Sequence, residues 1–191
     1  MTKVRQDHIL TQLQALAPPP DNPLFAGTPS QWDEVERTIG TALPQDYKQL
    51  VNLYGLGSFG DYVCLLNPFV PTLGPNSAFS FYRAMNLWNS IEDLRRKDPE
   101  IYPPFSGYPS PGGLLPWGLE CSDAGLQCWV TKGSPDDWGC VIVDSDYTEE
   151  YHEYPTTVTG FLVGWLTGLI VISYYPPFPL QHPLFQPSSI E

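Results

Sequence analysis

Seven carboxylates crowd the stretch from Asp136 to Glu153: Asp136, Asp137, Asp144, Asp146, Glu149, Glu150 and Glu153. Side chains of this type can ligate a divalent cation, work as a general acid–base pair, or attract a cationic surface. A calcium loop of the EF-hand type needs a central glycine and a closing glutamate at its twelfth position, and neither register occurs here. A glycosidase pair needs two carboxylates facing each other across a cleft, which is a matter of tertiary placement. A docking face needs only that the charge be unopposed. The plainer reading is a solvated rim that keeps the protein soluble.

Other chemistry-bearing residues are less persuasive. Gly55, Gly57 and Gly60 fit the spacing of a dinucleotide loop, but that motif requires a strand before it and a helix after it. Helical periodicity precedes Gly55 and strand character follows Gly60, so the glycines read as a helix stop and a tight turn. Ser58 lacks the complete glycine frame of a nucleophile elbow, because position 56 is leucine. His8, His152 and His182 have no serine or cysteine paired with them in the sequence pattern. Cys64, Cys121, Cys128 and Cys140 lack the short spacing of a zinc site, and are expected to be reduced and buried. No metal or cofactor is expected, and nothing in these residues implies an enzyme.

Charge distribution sharpens the docking reading. The chain has 191 residues, a formal charge of −12, 22 prolines and 16 glycines. Residues 1–100 carry 8 basic and 11 acidic side chains, whereas residues 101–191 carry Lys132 alone against 10 acidic ones. Such a balance excludes a nucleic-acid binder, which needs clustered Lys and Arg to release counterions. The acidic half is therefore the candidate face for a basic partner. Asp123 joins the seven carboxylates, and Trp129 and Trp138, beside turns, are its expected apolar anchors. Trp32, Trp88 and Trp165 fall on helical stripes and are expected in the core.

These residues need elements to position them. Residues 4–17 have the period of an amphipathic helix, stopped by Pro18, Pro19 and Pro20, with a linker or strap beyond. A second helix is expected from Ser30, with Asp33 in its first turn and Gly40 as its stop. A third should open at Pro44 and end at Gly55. Asp61 to Leu66 reads as a strand, Ser77 to Lys97 as a longer helix, and residues 99–113 as a loop or lid. Leu114 to Cys121 and Leu126 to Thr131 should form a hairpin, followed by strands at Trp138 to Val143 and Tyr151 to Tyr154. A last helix should start near Thr157, and the proline-rich stretch beyond Tyr175 reads as an extended tail. Helices, then a meander of strands, then a helix predict a single α+β domain with a mostly antiparallel sheet. The longest apolar stretch, Phe161 to Ile172, is too short for a membrane span, no export signal is evident, and the cytoplasm is the expected location.

The segment from Trp32 resembles the opening signature of the SUKH superfamily, which includes bacterial toxin-immunity proteins and fungal regulators of cell-wall assembly. The resemblance lies in Trp32-x-x-Val35-Glu36, Ile39-Gly40, Leu43-Pro44-x-Asp46-Tyr47 and Tyr54-Gly55-x-Gly57. Leu65 to Pro68, Leu115-Pro116-Trp117-Gly118, the turn Asp123 to Gly125, Trp129, Pro135-Asp136-x-Trp138, Phe161-Leu162 and Trp165-Leu166 extend it over residues 30–170. Where many members carry Gly-Asp at the middle turn, this chain has Gly125-Leu126. The resemblance implies a SUKH-like domain over 30–173, preceded by a helix and linker at 1–29 and followed by a tail at 174–191. It also implies a non-enzymatic cytoplasmic protein that neutralises a cognate toxin. A nuclease toxin, with its basic phosphate-binding cleft, is the kind an acidic face would suit. The alternative that the fungal relatives imply is a regulatory or scaffold domain with a cellular protein partner.

Overall fold

The computed structural model describes residues 3–74, 76–97, 105–121, 125–143 and 151–189. Three helices come first: α1 (Lys3–Leu16), α2 (Pro29–Ile39) and α3 (Gln45–Tyr54). Strands β1 (Gly57–Phe59) and β2 (Val63–Leu65) precede α4 (Phe81–Lys97). Next come β3 (Leu114–Glu120), β4 (Leu126–Val130), β5 (Cys140–Val143) and β6 (Tyr151–Tyr154). Helix α5 (Val158–Leu166) and strand β7 (Phe185–Pro187) complete the chain. The strands form one antiparallel sheet in the order β6-β5-β4-β3-β2-β1-β7. This is the α+β architecture that the order of periodicities predicts.

The caps explain where helices begin. α2 starts two residues before Ser30 would place its cap: Thr28 accepts from the Gln31 amide at 3.4 Å, and Gln31 Oε1 accepts from the Thr28 amide at 2.9 Å. Pro29 at the first helical position decides between the two registers, since its ring presets φ and its missing N–H is not needed there. Gly40, at φ 81°, ends the helix as expected. The segment expected to open α4 is split, with Ser77–Phe79 a single 3₁₀ turn and the helix proper starting at Phe81.

Trp129 and Leu126 are three apart on β4 and so face opposite sides of the sheet. On Trp129's side, Tyr47 of α3 meets that indole edge-on at 4.9 Å and Phe161 of α5 meets Trp117 at 5.7 Å. On the other side, Leu119, paired with Leu126, lies against Ala84 and Leu87 of α4. Buried tyrosines keep their hydroxyls paired: Tyr47 donates to the Leu66 carbonyl at 2.7 Å and Tyr54 to that of Ala17 at 2.8 Å. The expected N-terminal helix and tail are part of this core, which contains Leu13, Ala17, Tyr175, Leu184 and Phe185.

Three expectations are corrected. The tail does not simply run extended past the domain: Phe185–Pro187 pairs with β1 as an edge strand, and Phe185 packs on Tyr54 and Phe59. Gly57 consequently lies within a strand, where a Cβ would run into the Gln186 carbonyl of β7. The cysteines are not all reduced, because Cys64 and Cys121 form a disulfide with Cα atoms 5.7 Å apart. Cys64 stands opposite Leu119 in the β2–β3 ladder, so Cys121, two residues on, reaches it diagonally. Cys128 and Cys140 are free thiols, both buried.

Candidate partner-binding face

Of the residues expected on the acidic face, Asp136, Asp137, Trp138, Trp129 and Glu153 lie in the described structure. Asp123, Asp144, Asp146, Glu149 and Glu150 lie outside the described residues.

Ser134-Pro135 opens a 3₁₀ turn over Pro135–Asp137, closed by the Asp137 amide donating to Ser134 at 2.9 Å and the Trp138 amide to Pro135 at 3.1 Å. The turn exposes Asp136 and Asp137 and drives Trp138 inward. Asp136 Oδ1 accepts from the Gln45 amide at 2.7 Å, so this carboxylate caps the N-terminus of α3, where amides and helix dipole favour an anion. Asp46, in the first turn of α3, does the same for α5. It accepts from the Thr159 amide at 3.0 Å and the Thr159 hydroxyl at 3.1 Å, while Thr157 caps the Gly160 amide. The turn, α3 and α5 are thereby tied in series by two carboxylates.

The tie places the exposed acids. Asp137, from the turn, and Glu153, from edge strand β6, flank an open groove of about 460 Å³ on whose rim Lys132 also lies. Gly139 forms part of its wall, and a Cβ there would approach the Tyr154 carbonyl to 3.0 Å. A smaller hollow of about 150 Å³ adjoins it, lined by Asp136, Asp137, Trp138, Pro155, Thr156 and Thr157. Asp136, Asp137 and Glu153 are thus brought to one neighbourhood, with Lys132 the one cation among the described residues that line either hollow. Carboxylates grouped in this way can attract cationic side chains and accept hydrogen bonds from them.

The tryptophans are corrected. Trp129 is fully buried against Tyr47, and Trp138 is buried with its ring 5.9 Å from Trp129. Both lie beside turns, but strand alternation turns Trp129 toward the helix layer, and the 3₁₀ turn does the same for Trp138. They support the face from below and do not anchor a partner on it.

Asp46 is the residue that composition and spacing did not single out. It is 4% exposed, and burial raises its pKa, opposed by the hydrogen bonds from Thr159. Burial also raises the Cys140 thiol, helped by the nearby Asp46 charge, and raises Cys128. Both thiols therefore keep their protons at neutral pH and are poor nucleophiles. Among the described residues, no three His, Cys, Asp or Glu converge as a metal site, and no helix is long and apolar enough to cross a membrane. Comparison with known proteins found no match among family models, curated proteins or solved structures.

Proposed function

We propose that this chain is a binding protein that neutralises a cognate toxin by occupying the toxin's basic surface with the face around Asp137 and Glu153. The observation that carries the reading is the convergence of Asp136, Asp137 and Glu153, from a turn and an edge strand, on adjoining hollows where Lys132 is the one cation among the described lining residues. The resemblance to SUKH immunity proteins supplies the class of partner. Its signature residues Trp32, Val35, Ile39, Tyr47 and Tyr54 are core residues here, so they speak to the fold and leave the partner to the surface. A toxin with a cationic nucleic-acid cleft fits best, since the acidic face would stand in for the polyanion.

Fields of opposite sign accelerate encounter, and salt screens them within about 10 Å at ~0.1 M. Association with a basic nuclease toxin domain should therefore slow steeply as salt is raised. The double substitution Asp137→Lys/Glu153→Lys should lower the low-salt association rate by roughly tenfold and flatten its salt dependence, with circular dichroism unchanged. Stopped-flow association across a salt series reads both effects, and an association rate indifferent to salt would rule the reading out. Asp136 is left intact in this test because it also caps α3.

A further inference from the structure

From Pro155 to Ile190 the sequence contains no Asp, Glu, Lys or Arg, although the chain as a whole carries −12. This stretch exposes apolar side chains that a folded chain ordinarily hides. Leu169, Val171 and Phe178 are 82%, 78% and 58% exposed.

Their exposure is built into ordered backbone. After α5, the amides of Leu169 and Ile170 both donate to the Gly164 carbonyl, at 2.8 and 2.9 Å, and the Tyr175 amide donates to Ile172 at 3.1 Å. Ile172 is buried and Ile170 packs over Gly164, which leaves the alternate residues Leu169 and Val171 pointing outward. Gly168, at φ 75°, lets the turn close onto the Phe178 ring, where a Cβ would come within 2.9 Å. Phe178 in turn separates two apolar hollows that share Leu180. One, of about 130 Å³, includes Trp165, Val171 and Tyr175; the other, of about 320 Å³, includes Leu16, Leu166 and Leu184. Protruding aliphatic side chains and receiving hollows therefore sit side by side on one face, whose hollows have no Asp, Glu, Lys or Arg among their described lining residues and His182 as their one histidine.

We infer that this face is the contact between two copies of the chain related by a two-fold axis. A two-fold brings a patch onto itself, so a self-pairing surface must carry both the knob and the hollow, and this one does. Two copies with charge −12 repel each other wherever acidic surfaces meet; this face is the approach at which that repulsion is least. An anionic membrane is a poorer occupant, because it repels an acidic protein and the stretch contains no Lys or Arg to offset this. The contact lies at the C-terminal end of α5, whereas Thr157, at the helix's N-terminal end, lines the acidic hollow. Self-pairing therefore does not depend on the toxin reading.

Sedimentation velocity on the full chain tests the inference. The expected result is a monomer–dimer equilibrium that tightens as salt is raised, because salt screens the repulsion between like-charged copies. That is opposite in sign to the salt dependence expected for a basic partner, so either proposal can fail alone. Leu169→Lys and Val171→Lys should each raise the dimer dissociation constant by roughly tenfold or more. Both side chains are exposed in the monomer, so the melting temperature read at concentrations where the wild type is monomeric should stay unchanged. A wild-type chain that remains monomeric at its highest soluble concentration overturns the inference, as does a dimer indifferent to both substitutions. Monomers that co-float with neutral phosphatidylcholine vesicles would overturn it in favour of a lipid surface.

Discussion

A thiol reductant should lower the unfolding free energy of this chain by about 4 kcal/mol, the loop-closure value for a crosslink spanning 57 residues. The Cys64–Cys121 bond closes a loop that contains α4 and the whole segment between β2 and β3. Opening it returns that entropy to the unfolded chain, while the β2–β3 ladder loses none of its backbone pairing. Cys64 is buried and Cys121 exposed, so a reductant reaches the bond from the Cys121 side. Urea unfolding with and without reductant measures the loss, and Cys64→Ala/Cys121→Ala should match the reduced protein and ignore reductant. Alkylation in denaturant should label two cysteines before reduction and four after it. Labelling of all four beforehand would refute the crosslink. Disulfides persist in oxidising compartments, so the cysteines lend no support to the expected cytoplasmic location.

Asp46→Ala should cost about 3 kcal/mol, the expected penalty for leaving two buried donors without an acceptor. The donors are the amide and hydroxyl of Thr159 at the start of α5. Asp46→Asn keeps the accepting oxygen and should cost much less. The two forms should also diverge with pH. Burial raises the Asp46 pKa above the 3.8 of an unburied aspartate, so the native state prefers the protonated form. The stability this group contributes is then complete below about pH 3.8 and is lost as pH rises through the raised native value. Relative to wild type, Asp46→Asn should therefore gain stability from acid toward neutral pH, read as the difference between urea midpoints. Parallel midpoints would show that Asp46 ionises in the native state as freely as in the unfolded chain.

The residues that failed as sequence predictions share a cause. Thr28 and Ser30 are both competent caps with an acceptor three residues on, and only Pro29 in the first turn separates them. Trp129 and Trp138 both stand beside turns, but a residue next to a turn can point to either face, and burial decides which. Gly57 looked like punctuation because its partner strand, Phe185–Pro187, lies far down the chain in a proline-rich stretch with no strand pattern of its own. Asp136 was read as surface charge, and it is exposed, yet one of its oxygens serves the α3 amide of Gln45. No spacing rule reveals a cap that comes from a residue so distant in sequence.

By itself the sequence determined the five helices, the strands β2 to β6 and their order, the central hairpin, the α5 start near Thr157, and the concentration of negative charge in the second half. Each depends on periodicity, capping or composition, which act over a few residues. Only the tertiary structure decided that Cys64 meets Cys121, that the tail supplies an edge strand, and that Asp46 and Asp136 tie three elements in series. It alone drew Asp137 and Glu153 to one groove and left Leu169, Val171 and Phe178 outward on one face. These follow from pairings between distant segments, chosen by which arrangement buries apolar surface while pairing most buried polar groups, and local pattern carries no record of that choice.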